Sequence, residues 1–196
     1  MGNRLDLSFY RRKDVVQIAK DLLGKVLITH LNGRTTSGRI VETEAYSFVE
    51  RGSHAFKGKT KRNAVMFDKG GVAYVYLCYG VHNLFNIVTN DEEQAEAVLI
   101  RALEPVQGQD YMMERMNSKS IKRITSGPGK LAKALGIDRE MNGVDLMGTK
   151  VWLEEDSFEM KRGGIVKSKR IGIDYAGKDA LLPWRFTIKG SEWISV

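Results

Sequence analysis

Two adjoining extended segments constrain the fold of this 196-residue chain most strongly. Residues 25–31 and 35–46 both have the composition of β-strands, and Asn32-Gly33 lies between them. Asn-Gly between two such segments favours a tight hairpin turn, because both residues tolerate a positive φ angle. The sequence therefore predicts an antiparallel strand pair near the N-terminus.

The rest of the chain predicts a mixed α/β (α+β) fold with mainly antiparallel strands, in a single domain over residues 1–196. An apolar stripe at helical spacing predicts a helix over residues 12–23. Further helices are predicted at residues 109–116 and 130–135, and further strands at residues 72–79, 83–89, 95–102, 150–153, 169–173 and 185–189. The segments at 72–79 and 83–89 predict a hairpin with its tip at residues 79–82, and residues 154–168 predict a surface loop.

Composition narrows the class of protein. The net charge is +7 and the pI about 9.4, which favours an acidic partner such as nucleic acid or anionic lipid, although many basic proteins are only kept soluble by their charge. No segment has the apolar length of a membrane span. Cys78 is the only cysteine, which excludes an intrachain disulfide, indicates a reducing compartment and predicts a buried structural thiol. The three histidines lack metal-ligand spacing.

Residues 38–46 (GRIVETEAY) are the strongest candidate for chemistry. The two-residue repeat of a strand places Ile40, Glu42, Glu44 and Tyr46 on one face. Two neighbouring carboxylates push their pKa values apart, a common origin of a general base. Glu44 beside the Tyr46 ring could therefore activate water next to a planar substrate, although a lone strand carboxylate usually faces solvent.

A second candidate is the aromatic segment at residues 74–80 (YVYLCYG). Tyr74 and Tyr76 share one face of the predicted strand, and Tyr79 lies at the hairpin tip. Such a run usually packs in a core. An aromatic ring at a tip next to glycine could also wedge into a base stack and kink a duplex.

Two segments are candidates for phosphate contact. Residues 47–68 predict a long connection that is either functional or disordered. Its basic part contains Lys57, Lys59, Lys61 and Arg62, which form either a solvated surface or a DNA-phosphate contact. Residues 125–130 (TSGPGK) lack the spacing of a nucleotide-binding loop, but a helix start there could hold a DNA phosphate.

Together these motifs resemble the alkyladenine DNA glycosylase family, also called the 3-methyladenine DNA glycosylases of the eukaryotic type. The resemblance covers nearly the whole chain. Besides residues 38–46 and 74–80, it rests on Ser53-His54, Arg62-Asn63, Met66-Phe67, Asn86, residues 99–105 (LIRALEP), Ser126-Gly127-Pro128 with Lys130-Leu131, Arg185-Phe186, Gly190-Ser191 and residues 193–196 (WISV).

The resemblance implies a compact domain with a curved antiparallel sheet, flanking helices and a protruding hairpin. It implies a monofunctional enzyme, without metal or organic cofactor, that removes 3-methyladenine, 7-methylguanine, hypoxanthine and ethenoadenine from double-stranded DNA and leaves an abasic site. We then expect a monomer with no membrane association, located in the cytoplasm or with the nucleoid in a bacterium, or in the nucleus of a eukaryote.

The resemblance also implies a role for each site residue. Glu44 would be the general base and Arg101 would help to hold its water. Tyr46, His54 and Tyr76 would line the base pocket. The remaining assignments are Asn86, which would crowd the amino group of normal guanine; Tyr79, which would enter the DNA stack; and Lys57, Lys59, Arg62, Ser126, Gly127 and Lys130, which would contact phosphates.

The chain departs from the family pattern at three places. Residues 47–52 (SFVERG) lack the usual Gly/Pro/Asp-rich character, Lys61 replaces a common proline, and His82 stands where some members carry an aromatic. These departures bear on pocket shape and substrate range. A DNA- or RNA-binding module that has lost catalysis and a small-molecule hydrolase with a carboxylate base are the two alternatives.

Overall fold

A computed structural model describes residues 2–195 of the chain. Met1 and Val196, the last residue of the C-terminal motif, lie outside the described residues. The chain forms one α+β domain with a curled antiparallel sheet and a few helices, which confirms the predicted fold class. The strands are β1 (Val26–Leu31), β2 (Arg34–Tyr46), β3 (Ala73–Cys78), β4 (His82–Thr89), β5 (Glu96–Gln107), β6 (Val151–Glu154), β7 (Ile165–Ser168) and β8 (Arg185–Ile188); the α-helices are α1 (Leu7–Tyr10), α2 (Val15–Asp21), α3 (Gln109–Met116) and α4 (Pro128–Leu135), with 3₁₀ segments at Ala64–Phe67, Arg139–Met141 and Asp174–Leu181.

The long strand β2 organises the sheet. The strand order is β3-β4-β5-β2-β1-β6, and β8 pairs with both β2 and β7. Along one edge, β2 pairs with β5. Along the other edge it pairs with β1 over residues 34–39 and then with β8 over residues 42–44. Residues 42–46 therefore lie at the point where the sheet divides between two partners.

An irregular register within β2 corrects one expectation from the sequence. The pairing with β5 shifts between Ile40 and Glu42 and again between Glu42 and Thr43. Such bulges interrupt the two-residue alternation. Ile40 consequently packs in the main core together with Ala45, and the prediction that it shares a face with Glu42 is wrong.

The two faces of the sheet have different neighbours. One face packs on the main core, to which α2 and α4 contribute their apolar sides. The Thr43 hydroxyl, on this face, donates a 2.7 Å hydrogen bond to the Ala19 carbonyl of α2. The other face carries a smaller cluster, which contains Tyr74 and Ala97 and is covered by residues 55–67. The polar side chains described below lie on this second face.

The predicted helices are present with adjusted ends. Helix α2 begins later than predicted, because the Asp14 carboxylate caps it by accepting a 2.9 Å hydrogen bond from the Gln17 amide. Helix α4 begins two residues earlier, at Pro128, because proline suits the first turn of a helix. No helix within residues 2–195 is both long and apolar enough to cross a membrane.

The strand predicted at residues 169–173 is wrong. The strand in this region is β7, which lies inside the predicted surface loop and pairs with β8 through Ile165 and Ile188. Residues 169–173 bend away instead, with Gly172 at a φ of 77°. The Ile171 amide donates to the Glu44 carboxylate and not to a neighbouring strand.

Candidate active site

Strand register aligns one row of residues across five strands. Tyr74 faces Asn86, Asn86 faces Leu99, and Leu99 faces Glu44. Arg185 of β8 completes the row opposite Glu44. Directly opposed residues point to the same side of a sheet, so the row forms the floor of one site.

A cleft of about 690 Å³ opens above this floor. It has a sheet floor, an aromatic wall, the start of α4 and the segment at residues 171–175. The lining includes Tyr46, His54, Arg62, Met66, Tyr74, Tyr76, Cys78, Tyr79, Leu84, Asn86, Leu99, Arg101, Ser126, Gly127, Lys130, Ile171 and Tyr175. The volume and the five tyrosines in the lining suit a planar organic group.

Glu44 is fully buried directly behind the lining of this cleft. Its Oε2 accepts hydrogen bonds from the Tyr46 hydroxyl at 2.8 Å and from Arg101 Nη1 at 3.2 Å. Its Oε1 accepts from the Ile171 amide at 2.8 Å. A carboxylate offers about four acceptor positions, so one position stays open for a further donor such as water.

Glu42 has a different environment from Glu44. Its Oε1 accepts from Arg101 Nε at 3.0 Å, Arg185 Nε at 2.6 Å and the Ser195 hydroxyl at 2.7 Å, and its Oε2 accepts from the Ser195 amide at 2.6 Å. These donors occupy the carboxylate. Glu42 therefore anchors Arg101, Arg185 and Ser195.

Arg101 joins the two carboxylates. Burial lowers the pKa of its guanidinium, but the charges of Glu44 and Glu42 outweigh that effect and raise the pKa above its usual value. Arg101 therefore remains a cation at the floor of the cleft. Arg101 lines the cleft, whereas Glu44, to which it donates, lies behind the lining.

Three tyrosines contribute neutral aromatic surface. Burial, the Glu44 charge and the hydrogen bond to Glu44 raise the pKa of Tyr46 well above its usual value. Burial also raises the pKa of Tyr76, and it raises that of Tyr74 to about 12. All three phenols stay protonated at neutral pH, so Tyr46 is a permanent donor to Glu44.

His54 extends the aromatic wall. Its Nδ1 lies 3.0 Å from the Tyr74 hydroxyl, and its ring stands edge-on to Tyr76 with the ring centres 4.5 Å apart. Although His54 is exposed overall, the surrounding protein atoms and the positive charge of Arg62 lower its pKa. The imidazole is therefore neutral at pH 7.

Asn86 is rigid at the floor. Its Nδ2 donates to the Tyr74 carbonyl at 3.1 Å and to the Leu84 carbonyl at 3.4 Å, and the residue is buried. A side chain held in this way has a fixed shape toward the cleft. It can discriminate between ligands by steric fit.

Tyr79 projects from the tip of the hairpin formed by β3 and β4. Tyr79 and Gly80 both have positive φ angles, 49° and 74°, and the Val81 amide donates to the Cys78 carbonyl at 3.1 Å. This φ pattern is that of the tight turns that join twisted strands. The turn leaves the Tyr79 side chain 90% exposed, with no packing role within the domain.

The six residues that the resemblance assigns to phosphate contact are distributed unevenly. Arg62, Ser126, Gly127 and Lys130 line the cleft. Lys57 and Lys59 are exposed outside its lining, and the Lys59 ammonium lies 2.8 Å from the Glu93 carboxylate. The Ser126 hydroxyl is buried beside the start of α4 and has no hydrogen-bond partner among residues 2–195. Phosphate contact by these six residues stays a prediction.

Several residues contribute to the site in ways that the sequence did not predict. Ile171 contributes a backbone amide, which no side-chain pattern predicts. Ser195 and Tyr175 reach the site from the C-terminal part of the chain. Cys78 is half-buried and lines the cleft, so its prediction as a buried thiol is corrected. No group of three or more histidine, cysteine, aspartate or glutamate side chains in the described chain could hold a metal ion.

Comparison with known proteins identifies the family of the chain. The family model of methylpurine-DNA glycosylase (MPG) matches residues 8–192. A relative from Carboxydothermus hydrogenoformans is 48% identical over 191 residues, covering 97% of this chain and 98% of its own. A relative from Desulfitobacterium hafniense is 43% identical, and the match covers 98% of this chain and 98% of the relative. A relative from Chlamydia abortus is 45% identical, and the match covers 92% of this chain and 96% of the relative.

Each of these three relatives is named "Putative 3-methyladenine DNA glycosylase". All three are bacterial, so the description of the resemblance as eukaryotic in type finds no support. The family match extends over nearly the entire chain and includes every element that forms the cleft. The chain belongs to the methylpurine-DNA glycosylase family, and it is a hydrolase that acts on N-glycosyl bonds.

Proposed function

We propose that the protein extrudes alkylated or deaminated purines from double-stranded DNA and hydrolyses the bond between the base and its sugar. The observation that carries this proposal is the buried Glu44 carboxylate, held by Tyr46, Arg101 and Ile171 directly behind an aromatic cleft. A stacked nucleotide cannot reach such a carboxylate, so the nucleotide must leave the helix first.

The cleft suits a damaged purine in both shape and charge. Methylation at N3 of adenine or N7 of guanine places a positive charge on the purine, and cations are attracted to the faces of aromatic rings. Tyr46 and Tyr76 provide such rings, while the lowered pKa of His54 keeps a competing positive charge out of the wall. We assign 3-methyladenine and 7-methylguanine as substrates, together with the neutral purines hypoxanthine and ethenoadenine.

Rejection of normal guanine is assigned to the floor. Asn86 is fixed by two hydrogen bonds to backbone carbonyls and cannot turn away from a ligand without losing them. The exocyclic amino group of guanine would meet this side chain. Hypoxanthine lacks that amino group and fits. 7-Methylguanine keeps the amino group, so its release depends on the positive charge of the methylated ring, which weakens the bond to the sugar.

The hydrolytic step uses the open acceptor position of Glu44. As the bond between the sugar carbon and the purine nitrogen breaks, its electron pair leaves with the base and positive charge develops on the sugar. The Glu44 carboxylate stabilises this charge and accepts a proton from the attacking water, whose oxygen bonds to the sugar carbon. A cationic purine departs as a neutral base, and the proton on Glu44 passes to solvent. A neutral purine departs as an anion and takes up one proton from solvent, so the net reaction adds one water and leaves an abasic site.

DNA binding is assigned to the rim of the cleft. The exposed Tyr79 ring would fill the gap that the extruded nucleotide leaves in the stack. Arg62 and Lys130 would contact phosphates beside it, as would Ser126 and Gly127 at the start of α4, with Lys57 and Lys59 further out. We infer that a monomer is sufficient, because one chain supplies all of these parts.

The test is a substrate panel. Duplexes that each contain one modified purine are incubated with the protein, treated with alkali and analysed for strand breaks, and the free base is measured by chromatography. We expect release of 3-methyladenine, 7-methylguanine, hypoxanthine and ethenoadenine and no release of normal adenine or guanine. Binding of these duplexes without release of any base would instead favour the binding module that has lost catalysis.

A further inference from the structure

A buried ion pair joins two segments that are far apart in the sequence. Arg170 Nη1 and Nη2 lie 2.6 Å and 2.7 Å from the two oxygens of Glu50, a bidentate arrangement between residues 120 positions apart. The side chains of Arg170 and Glu50 are 0% and 3% exposed. Charges buried this deeply contribute little net stability, since desolvation offsets their attraction.

Arg170 also contacts the strand that carries Glu44. Its Nη1 donates to the Ala45 carbonyl at 2.8 Å, and its guanidinium lies 4.7 Å from the centre of the Tyr46 ring. Ala45 and Tyr46 directly follow Glu44 in β2. Arg170 therefore fixes both the backbone beside Glu44 and the ring that donates to it.

The residue after Arg170 contacts Glu44 directly. The Ile171 amide donates at 2.8 Å to Oε1 of Glu44. Because residues 169–173 belong to no strand, the ladder of the sheet does not hold this amide in place. The adjacent side chain of Arg170 holds the Ile171 amide in place instead.

Glu50 extends the same unit to the aromatic wall. Its Oε2 accepts a 2.7 Å hydrogen bond from the Gly52 amide, two residues before His54. A Cβ atom at Gly52 would lie 2.8 Å from Glu50 and 3.2 Å from Arg170, so only glycine permits this close approach. The pair thus connects Tyr46, the Ile171 amide and the segment that leads into His54.

We propose that Glu50 and Arg170 form a positioning pair, which holds two of the three donors around Glu44 and thereby sets the rate of the chemical step without contributing to DNA affinity. This inference rests on the proposed function. Neither side chain lines the cleft, and both act through the groups that they orient. Misplacement of a reacting group by about 1 Å can cost ~10²-fold in rate.

The test compares chemistry with binding in Glu50→Gln and Arg170→Lys. The single-turnover rate is measured with excess enzyme on a hypoxanthine duplex, and affinity is measured on a duplex with a non-cleavable abasic analogue. We expect the rate to fall about 10- to 100-fold, and the Kd to change less than about threefold because no phosphate contact is lost. The double variant should lose less than the product of the two single losses, because the residues act as one unit.

Asp156→Asn is the matched control. Asp156 pairs with Arg39 at 2.8 Å, outside the lining of the cleft, so its loss should lower thermal stability and leave the rate unchanged. Hydrogen exchange at the Ile171 amide provides a readout that needs no activity, and it should accelerate in Glu50→Gln but not in Asp156→Asn.

Unchanged rates, equal losses in rate and affinity, or unchanged exchange at Ile171 would each overturn the positioning role. Absence of excision by the wild-type protein on every modified purine would instead contradict the proposed function, and the exchange measurement would still decide whether the pair holds the amide.

Discussion

The Tyr46 hydroxyl donates a 2.8 Å hydrogen bond to Oε2 of Glu44, two residues earlier on the same strand. The alternation of a strand puts both side chains on one face, and the hydrogen bond then locks the aromatic ring to the carboxylate. Because the raised pKa of Tyr46 keeps its proton in place, the arrangement does not change over the neutral pH range.

Removal of this hydroxyl should slow the chemistry and leave the pocket intact. Tyr46→Phe keeps the ring but removes a hydrogen bond to a charged group, which is worth about 1.5–3 kcal/mol, so we expect a rate loss on the order of 10- to 100-fold. Single-turnover kinetics with excess enzyme measure it. Tyr74→Phe, which removes a hydroxyl that is not bonded to Glu44, is the control; equal losses in both variants would contradict the specific role of Tyr46.

The protonation of His54 should set a lower pH limit for the excision of cationic purines. Its lowered pKa means that the folded protein resists protonation of this ring. The lowered pKa of His54 therefore favours the folded state fully at a pH above about 6.5, the pKa of histidine in the unfolded chain. This contribution to the free energy of unfolding is lost as the pH falls below that value toward the pKa of the folded protein. Excision of cationic purines should decline as His54 becomes positively charged.

Proton NMR resolves this titration, because the chain has only three histidines. We expect one imidazole to titrate below about 6.5, the ordinary value for histidine, and to vanish from the spectrum in His54→Gln. Titration of the His54 imidazole at or above about 6.5 would refute the assignment of a neutral wall.

Tyr79 should matter for extrusion and not for folding. Its side chain is 90% exposed, so Tyr79→Ala should leave the melting temperature unchanged, while turnover on duplex DNA falls about tenfold or more through the loss of a stacking contact worth about 1–3 kcal/mol. Activity on single-stranded DNA should fall less. Tyr111→Ala, on the exposed side of α3, is the matched control. An unaltered single-turnover rate on duplex DNA would exclude the wedge role.

Arg62 should contribute to the salt dependence of binding. It lines the cleft and forms no salt bridge among residues 2–195, whereas Lys59 already pairs with Glu93. Loss of one phosphate contact reduces the slope of log K against log salt by about one. We therefore expect Arg62→Ala to flatten the slope by about that amount, and Lys59→Ala to flatten it less. Parallel slopes for wild type and Arg62→Ala would show that Arg62 makes no phosphate contact.

The candidate site could be predicted from the sequence only where local periodicity decides the geometry. Alternation in a strand placed Glu42, Glu44 and Tyr46 on one face, and turn-forming residues placed Tyr79 at a hairpin tip. The bulge that moves Ile40 into the core depends on pairing with β5, about sixty residues away, and leaves no local pattern.

Long-range contacts explain most of what the sequence did not predict. The buried Glu50–Arg170 pair and the Ser195–Glu42 hydrogen bonds join residues that are more than a hundred positions apart. The strand predicted at residues 169–173 was wrong because the Ile171 amide bonds to Glu44, and strand propensity cannot anticipate a tertiary acceptor. The resemblance to a family, not periodicity, brought Arg101, His54 and Asn86 to attention.

The central claim is that Glu44 activates the water that cleaves the base from its sugar. The most direct measurement is the single-turnover rate of Glu44→Gln on a hypoxanthine duplex, together with its Kd for a duplex that contains an abasic analogue. Loss of a general base predicts a fall of about 10²- to 10⁴-fold in rate with DNA affinity retained. Excision by Glu44→Gln at the wild-type rate would contradict the account.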